Sequence, residues 1–303
     1  MPATFEFFRF RFHFRALTPL RFPPGEAGNV IRGGLGLALR HCAPPAVYTA
    51  FFRPSAAPGA APSGLADPPR PFLVRASHLA GLQPAGCPFY WDVHAFDLAN
   101  PPLAILRQSF QHMAASGFGP GRGRASLELI EQLDLLDRPQ PLWPDSLHPT
   151  APLAIDLAPE AGAPPAAGVH LQFLTPTELK GDGGLVDRPG FAILFSRLRD
   201  RIGALSALYG RGPLPVDFRG IGERARAVRL VRCSLETRHA VRRSSRTGLV
   251  HPLGGFTGHA EYAGDLAEFL PWLAAARWAG VGRHTVWGHG EVRIVAVSTA
   301  EPA

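Results

Sequence analysis

The stretch Phe8-Arg-Phe-Arg-Phe-His-Phe-Arg15 constrains the fold more than any other part of the chain. Phe8, Phe10, Phe12 and Phe14 share one parity, and Arg9, Arg11, His13 and Arg15 the other. Side chains alternate across a strand but spiral around a helix, so a strict period of two is a strand with one apolar face. The phenylalanines therefore belong to a core beneath a sheet. The basic face meets solvent or a ligand.

Periodicity places further elements along the chain. Residues 29–42 read as a helix with Ile31, Leu35 and Leu39 buried, and residues 43–71 as a Pro- and Gly-interrupted loop. Two strand candidates follow, PFLVRAS and FYWDVHAFDL, then a helical stretch near 102–116. A Pro-rich passage from Arg138 to Gly168 reads as a linker holding one short strand, 153–158. Beyond it come the strand GVHLQFLTP, a long amphipathic helix over 190–210, and Arg-rich strands or loops over 219–248. A helix over 265–278 follows, with Asp265 at its N-cap and Glu268 closing a capping box, and the strand EVRIVAV ends the series. Each half runs in a β-α-β-β-α-β order, which predicts an α+β chain of two tandem ferredoxin-like (RRM-like) domains, residues 1–145 and 146–303. The open sheet of such a unit is a common RNA-binding platform.

Residues 279–292, AGVGRHTVWGHGEV, carry four glycines between a helix and a strand. A P-loop requires a lysine and a hydroxyl after its last glycine, in a loop running from strand to helix. A dinucleotide fingerprint requires a third glycine where Thr285 stands, again before a helix. Both are excluded. Glycine still lets backbone N–H groups approach a phosphate closely, and Arg283, His284 and His289 add hydrogen bonds or charge.

The charge distribution points the same way. Thirteen arginines oppose four acids between Arg197 and Arg246, a local surplus above the +7 of the whole chain. Such clustering suits a polyanion such as RNA. No apolar run approaches the ~18 residues of a membrane span, and the Phe/Arg alternation at the start is not a signal sequence. Cys42, Cys87 and Cys233 are odd in number and widely spaced, which fits a reduced, cytoplasmic protein and offers no zinc motif. No cofactor, metal or membrane partner is expected.

Four stretches, FLTPTELKGDG, FSRLRDRIGALSALYG, VRRSSRTGLVHPLGGFTGHAEYAGDL and FLPWLAAARWAGVGRHTVWGHGEVRI, resemble the C-terminal half of CRISPR-associated endoribonucleases of the RAMP superfamily. The resemblance runs from Leu174 to Ile294, with looser matches at IRGGLGLALRHC and GFGPGRGRASLEL. It implies two ferredoxin-like domains, binding of CRISPR repeat RNA, and metal-independent cleavage of precursor crRNA by attack of the 2′-hydroxyl. The products implied are 2′,3′-cyclic phosphate and 5′-hydroxyl ends. It also implies that the glycine loop helps to seat RNA in the groove between the domains, and that other CRISPR effector subunits are possible partners. The alternative is a non-catalytic RAMP subunit that binds crRNA in an effector complex.

That chemistry needs a base, an acid and a cation at the phosphate. His41, which ends the first helix, matches the position where the family often carries its histidine and is the leading proton-transfer candidate. Tyr48 is a second, and Arg32 and Arg40 are candidates to hold the phosphate. Arg242, Arg243 and Arg246 match a basic RNA-contacting stretch of the family. With Gly280, Gly282, Arg283, His284, Gly288, His289 and Gly290 they make up the expected RNA-binding set. His78 and His94 read as structural, and His112 as a helical histidine without partners.

Overall fold

A computed structural model of the chain describes residues 2–54, 67–162, 165–181, 183–238, 241–243, 250–252 and 254–299. The first sheet is built on β1 (Thr4–Ala16). After it come α1 (Ala27–Cys42), α2 (Pro45–Phe52), β2 (Phe72–Arg75), β3 (Pro88–Ala95), α3 (Leu103–Ser116), β4 (Ala125–Leu133), β5 (Pro139–Trp143) and β6 (Leu153–Asp156). Its strands run β2-β3-β1-β4-β5, all antiparallel, and β6 pairs with the beginning of β1. The first four strands thus take the 4-1-3-2 order of a ferredoxin-like unit.

The second sheet repeats this plan. Its elements are β7 (Ala166–Thr177), α4 (Phe191–Tyr209), α5 (Phe218–Arg224), β8 (Arg229–Arg238), β9 (Gly255–Ala263), α6 (Leu270–Ala279) and β10 (Val292–Thr299), in the order β8-β9-β7-β10. The expected pair of tandem ferredoxin-like units is present.

The phenylalanine face of β1 is buried as its period requires, with Phe8 at 4% exposure and Phe10, Phe12 and Phe14 at 0%. They pack under α1 and α3 with Ile31, Leu35, Leu39 and Phe110. The opposite face is closed by ion pairs. Arg9 and Arg11 both bind Asp92 (2.8 and 2.7 Å), His13 binds Glu131 (2.7 Å) and Arg15 binds Glu128 (2.6 Å). Each of these basic side chains has an acidic partner in the protein. Before Phe8 the parity reverses: Phe5 and Phe7 join Leu171, Phe195 and Trp278 in the second core. One strand therefore serves both cores.

Three local readings are corrected. Residues 45–52 form α2, started by Pro45, whose missing N–H costs nothing in the first turn. The Pro-rich passage holds the expected short strand, β6, and a further one, β5, that pairs with β4. Helix α6 begins at Leu270, with Pro271 in its first turn. Glu268 makes no capping box there, because both its oxygens accept from Arg224 at 2.7 Å.

Candidate nucleic-acid interface

Helix α6 ends where the two units meet, and its last carbonyls determine how they meet. These groups have no intrahelical donor and carry the negative end of the helix dipole. Each is claimed by a different side chain. Arg75 of β2 donates to Arg277 O (3.3 Å), His94 of β3 donates from Nδ1 to Trp278 O (2.9 Å), and Arg201 of α4 donates to Ala279 O (2.7 Å). Phe7 stacks on the Trp278 indole at 5.7 Å between centroids, and the Arg9 guanidinium lies 4.9 Å from the same ring. Burial, reinforced by Arg75 and Arg9, holds His94 well below its usual 6.5, so the ring is neutral with its proton on Nδ1. Burial, then Arg75 and Arg70, lowers Arg201 to about 9. His94 is structural, as its sequence suggested.

The glycine loop follows directly. Gly280 (φ +71°) ends α6, and Gly282, Gly288 and Gly290 also lie at positive φ, where a side chain is disfavoured. Many of its N–H groups point into the protein. Val281 N donates to Gly290 O, Arg283 N to Glu178 O, Gly288 N to Thr285 O and Gly290 N to Pro176 O. Its Gly288 and His289 carbonyls accept from Arg75 at 3.5 and 3.4 Å. A Cβ on Gly28, in the first turn of α1, would strike the Trp287 carbonyl, and one on Gly290 the Val281 carbonyl. The glycines thus serve close packing of the loop against α1 and β2.

The Arg283 and His284 side chains of the loop are also engaged. The Arg283 Nη1 donates to the buried Glu178 at 2.5 Å, and the His284 Nε2 lies 3.5 Å from the same carboxylate. The Arg283 side chain remains 55% exposed, so the rest of its fork faces outward. His289 is buried, which lowers it to about 4, so it brings hydrogen-bonding capacity and no charge near neutrality.

Beside the loop opens a cavity of about 630 Å³, lined by the first turn of α1, Ser77, Thr175, Arg238, Thr257 and His289. The α1 N-cap, Glu26, makes no side-chain capping bond, so the first amides of α1 present donors and the positive dipole end here. Arg238 and Gly255 end β8 and β9 at this wall, and the hairpin of Val241–Arg243 and Val250–Pro252 continues from them. Arg242 and Arg243 lie on that hairpin, and Arg246 falls outside the described residues. The open face of the second sheet leads away from the cavity through the pairs Gln172–Arg293 and His170–His259, each at 2.9 Å.

Helix α1 connects this cavity to the remaining candidates. Residues four apart share a face. Gly28 touches the glycine loop, the Arg32 guanidinium lies between the Trp287 and Phe52 rings (4.8 and 4.9 Å), and Gly36 meets Phe52. Arg40 then donates to the Tyr48 hydroxyl at 2.8 Å and covers its ring at 4.7 Å. His41 is turned toward α3 instead, and its ring stacks on His112 at 4.3 Å between centroids and 17° between planes. Sequence reading missed this partner, because His112 lies 71 positions away and only the α1–α3 packing brings it near. The structure therefore joins Arg40 to Tyr48, Arg32 to the glycine loop, and His41 to a residue outside the expected set.

Two ferredoxin-like units in tandem, clasped through a helix–glycine loop–strand, make up the chain. Residues 171–292 match the family model of the CRISPR-associated endoribonuclease Cas6, and residues 5–152 a model described as an N-terminal domain. The Cas6 match, together with the similar folds, supports a CRISPR-associated endoribonuclease of the Cas6 type. Solved structures of similar fold include a Cas6 product complex, 17% identical over 96% of this chain and 100% of that one, with a TM-score of 0.58. Thermus thermophilus Cas6 is 16% identical over 97% and 99% of the two chains, with a TM-score of 0.52. A partial Cas6-RT-Cas1–Cas2 complex is 12% identical over 98% of this chain and 47% of that one, with a TM-score of 0.58. No curated protein matched the chain. Among the described residues no helix is long and apolar enough to cross a membrane.

Proposed function

We propose that this chain is a metal-independent endoribonuclease that binds CRISPR repeat RNA and cleaves precursor crRNA by attack of the 2′-hydroxyl on the adjacent phosphate. The observation that carries the reading is the course of α1. It starts at the cavity beside the glycine loop and ends at His41, roughly 20 Å further on at 1.5 Å per residue. A single strand seated between the units and followed along α1 passes Arg32, then Arg40 and Tyr48, and arrives at a histidine.

The residues divide the work. The basic hairpin and the open amides of α1 attract the RNA backbone, and the cavity takes a segment of the strand. Arg40 offers a planar fork to the phosphate oxygens, oriented by its bond to Tyr48. His41 transfers a proton at the reacting atoms. The products are a 2′,3′-cyclic phosphate and a 5′-hydroxyl end. Among the proteins of similar fold, one is a Cas6 product complex and another joins Cas6 to Cas1 and Cas2. Repeat RNA, crRNA and other CRISPR proteins are accordingly the partners proposed for this chain.

Incubation of the cognate repeat RNA in excess EDTA, beside a copy with one 2′-deoxy at the cleavage position, tests the reading. Cutting of the all-ribose strand alone is expected. Tight binding without cutting of either strand would make the chain a non-catalytic crRNA-binding subunit.

A further inference from the structure

We infer that His112 is the second proton-transfer residue of the cleavage site, acting with His41; the inference rests on the nuclease reading above. Transesterification moves two protons. The O2′–P bond forms as a neutral imidazole takes the 2′-hydroxyl proton, and the P–O5′ bond breaks as a protonated imidazole gives its proton to O5′. One histidine cannot hold both positions in the same event. Tyr48 is the other candidate from sequence, but its hydroxyl accepts from Arg40 on the α2 side of α1, whereas the His41 ring turns toward α3. On the α3 side the structure supplies a second imidazole.

The placement of that imidazole is fixed by packing. Gly34 on α1 lets the Met113 side chain approach closer than any Cβ would allow, and Met113 is the residue next to His112. Cys42, next to His41, has its Sγ 4.0 Å from the Gln108 carbonyl on α3. Both histidines thus stand on helices locked together one residue away. His41 is exposed and His112 half-buried, so the pair is open to a substrate. Rings 4.3 Å apart and within 17° of parallel bring two imidazoles within the span of one phosphodiester. A phosphate seated at the pair would have one ring to serve O2′ and the other to serve O5′. The Ser116 hydroxyl, 3.4 Å from His112 Nε2, steadies the second ring.

The test compares His112→Ala, His112→Phe and His41→Ala on repeat RNA, and then on the same RNA with a 5′-bridging sulfur at the cleaved bond. A thiolate leaves without protonation, so loss of the acid is repaired in that substrate and loss of the base is not. Both alanine variants are expected to lose 10²- to 10⁴-fold in cleavage rate. The sulfur substrate is expected to restore one of the two and not the other. His112→Phe keeps a stacked ring and is expected to be as inactive as His112→Ala, while binding 2′-deoxy RNA like the wild type. His112→Phe cutting within threefold of wild type, or both alanine variants responding alike to sulfur, would overturn the inference. Absence of cutting by the wild type itself would instead defeat the nuclease reading.

Discussion

His94 donates its Nδ1 proton to the Trp278 carbonyl at 2.9 Å, and this bond joins the sheet of the first unit to the last turn of α6 in the second. Between Arg75 and Arg201 it completes a clasp on which the groove depends. His94→Ala leaves a buried carbonyl without its donor and should cost about 1–3 kcal/mol. His94→Asn, whose amide can occupy the place of Nδ1–H, should retain most of the stability. Chemical denaturation of the two variants checks the difference.

The same ring predicts a pH dependence. His94 and His289 are neutral in the fold, because burial lowers both, His289 to about 4. Unfolded, each titrates near 6.5. Between those values the unfolded chain binds more protons, so stability is full above about 6.5 and falls as the pH drops toward about 4. Melting temperatures across that window should decline in the wild type and decline less in His94→Asn.

Packing of the glycine loop predicts a second kind of loss. A Cβ at Gly28 meets the Trp287 carbonyl, and one at Gly290 meets the Val281 carbonyl at a φ of +68°. Gly28→Ala and Gly290→Ala should each destabilise by more than about 1 kcal/mol. RNA affinity should fall with them, since the cavity wall moves. Calorimetry and filter binding on the same preparations measure both.

Two groups of arginines should separate by salt. Arg283→Ala removes a partner of the buried Glu178 and should lower the melting temperature. Arg242→Ala and Arg243→Ala should leave stability nearly unchanged and reduce the salt slope of RNA binding by about one for each phosphate left without its cation. Equal salt slopes in all three variants would count against the basic hairpin as an RNA-binding element.

Arg40→Ala should reduce cleavage about 10²-fold with little change in binding, as expected for a donor that acts on transition-state charge. Tyr48→Phe removes the hydroxyl that accepts from Arg40 and should have the same sign and a smaller size. Single-turnover rates at saturating enzyme measure each.

Much of the fold was legible because its signals are local. The period of β1, the apolar stripe of α1 and the span of α4 each follow from side chains a few residues apart. What was not legible is long-range. Nothing near Arg9, Arg11, His13 or Arg15 announces Asp92, Glu131 and Glu128, which turn a basic face into a neutral one. The composition of the glycine loop suggests a phosphate cradle, whereas many of its amides are committed to the protein and Arg283 spends one arm of its fork on Glu178. At the proposed cleavage site, helix-end position pointed to His41, and only the packing of α1 on α3 shows His112 beside it.

The most direct test of the nuclease assignment is to identify the ends of the RNA after single-turnover cleavage in excess EDTA. Mass spectrometry should find a 2′,3′-cyclic phosphate on the upstream fragment and a 5′-hydroxyl on the downstream one. A 5′-phosphate with a free 3′-hydroxyl, or cleavage that requires an added divalent ion, would contradict it.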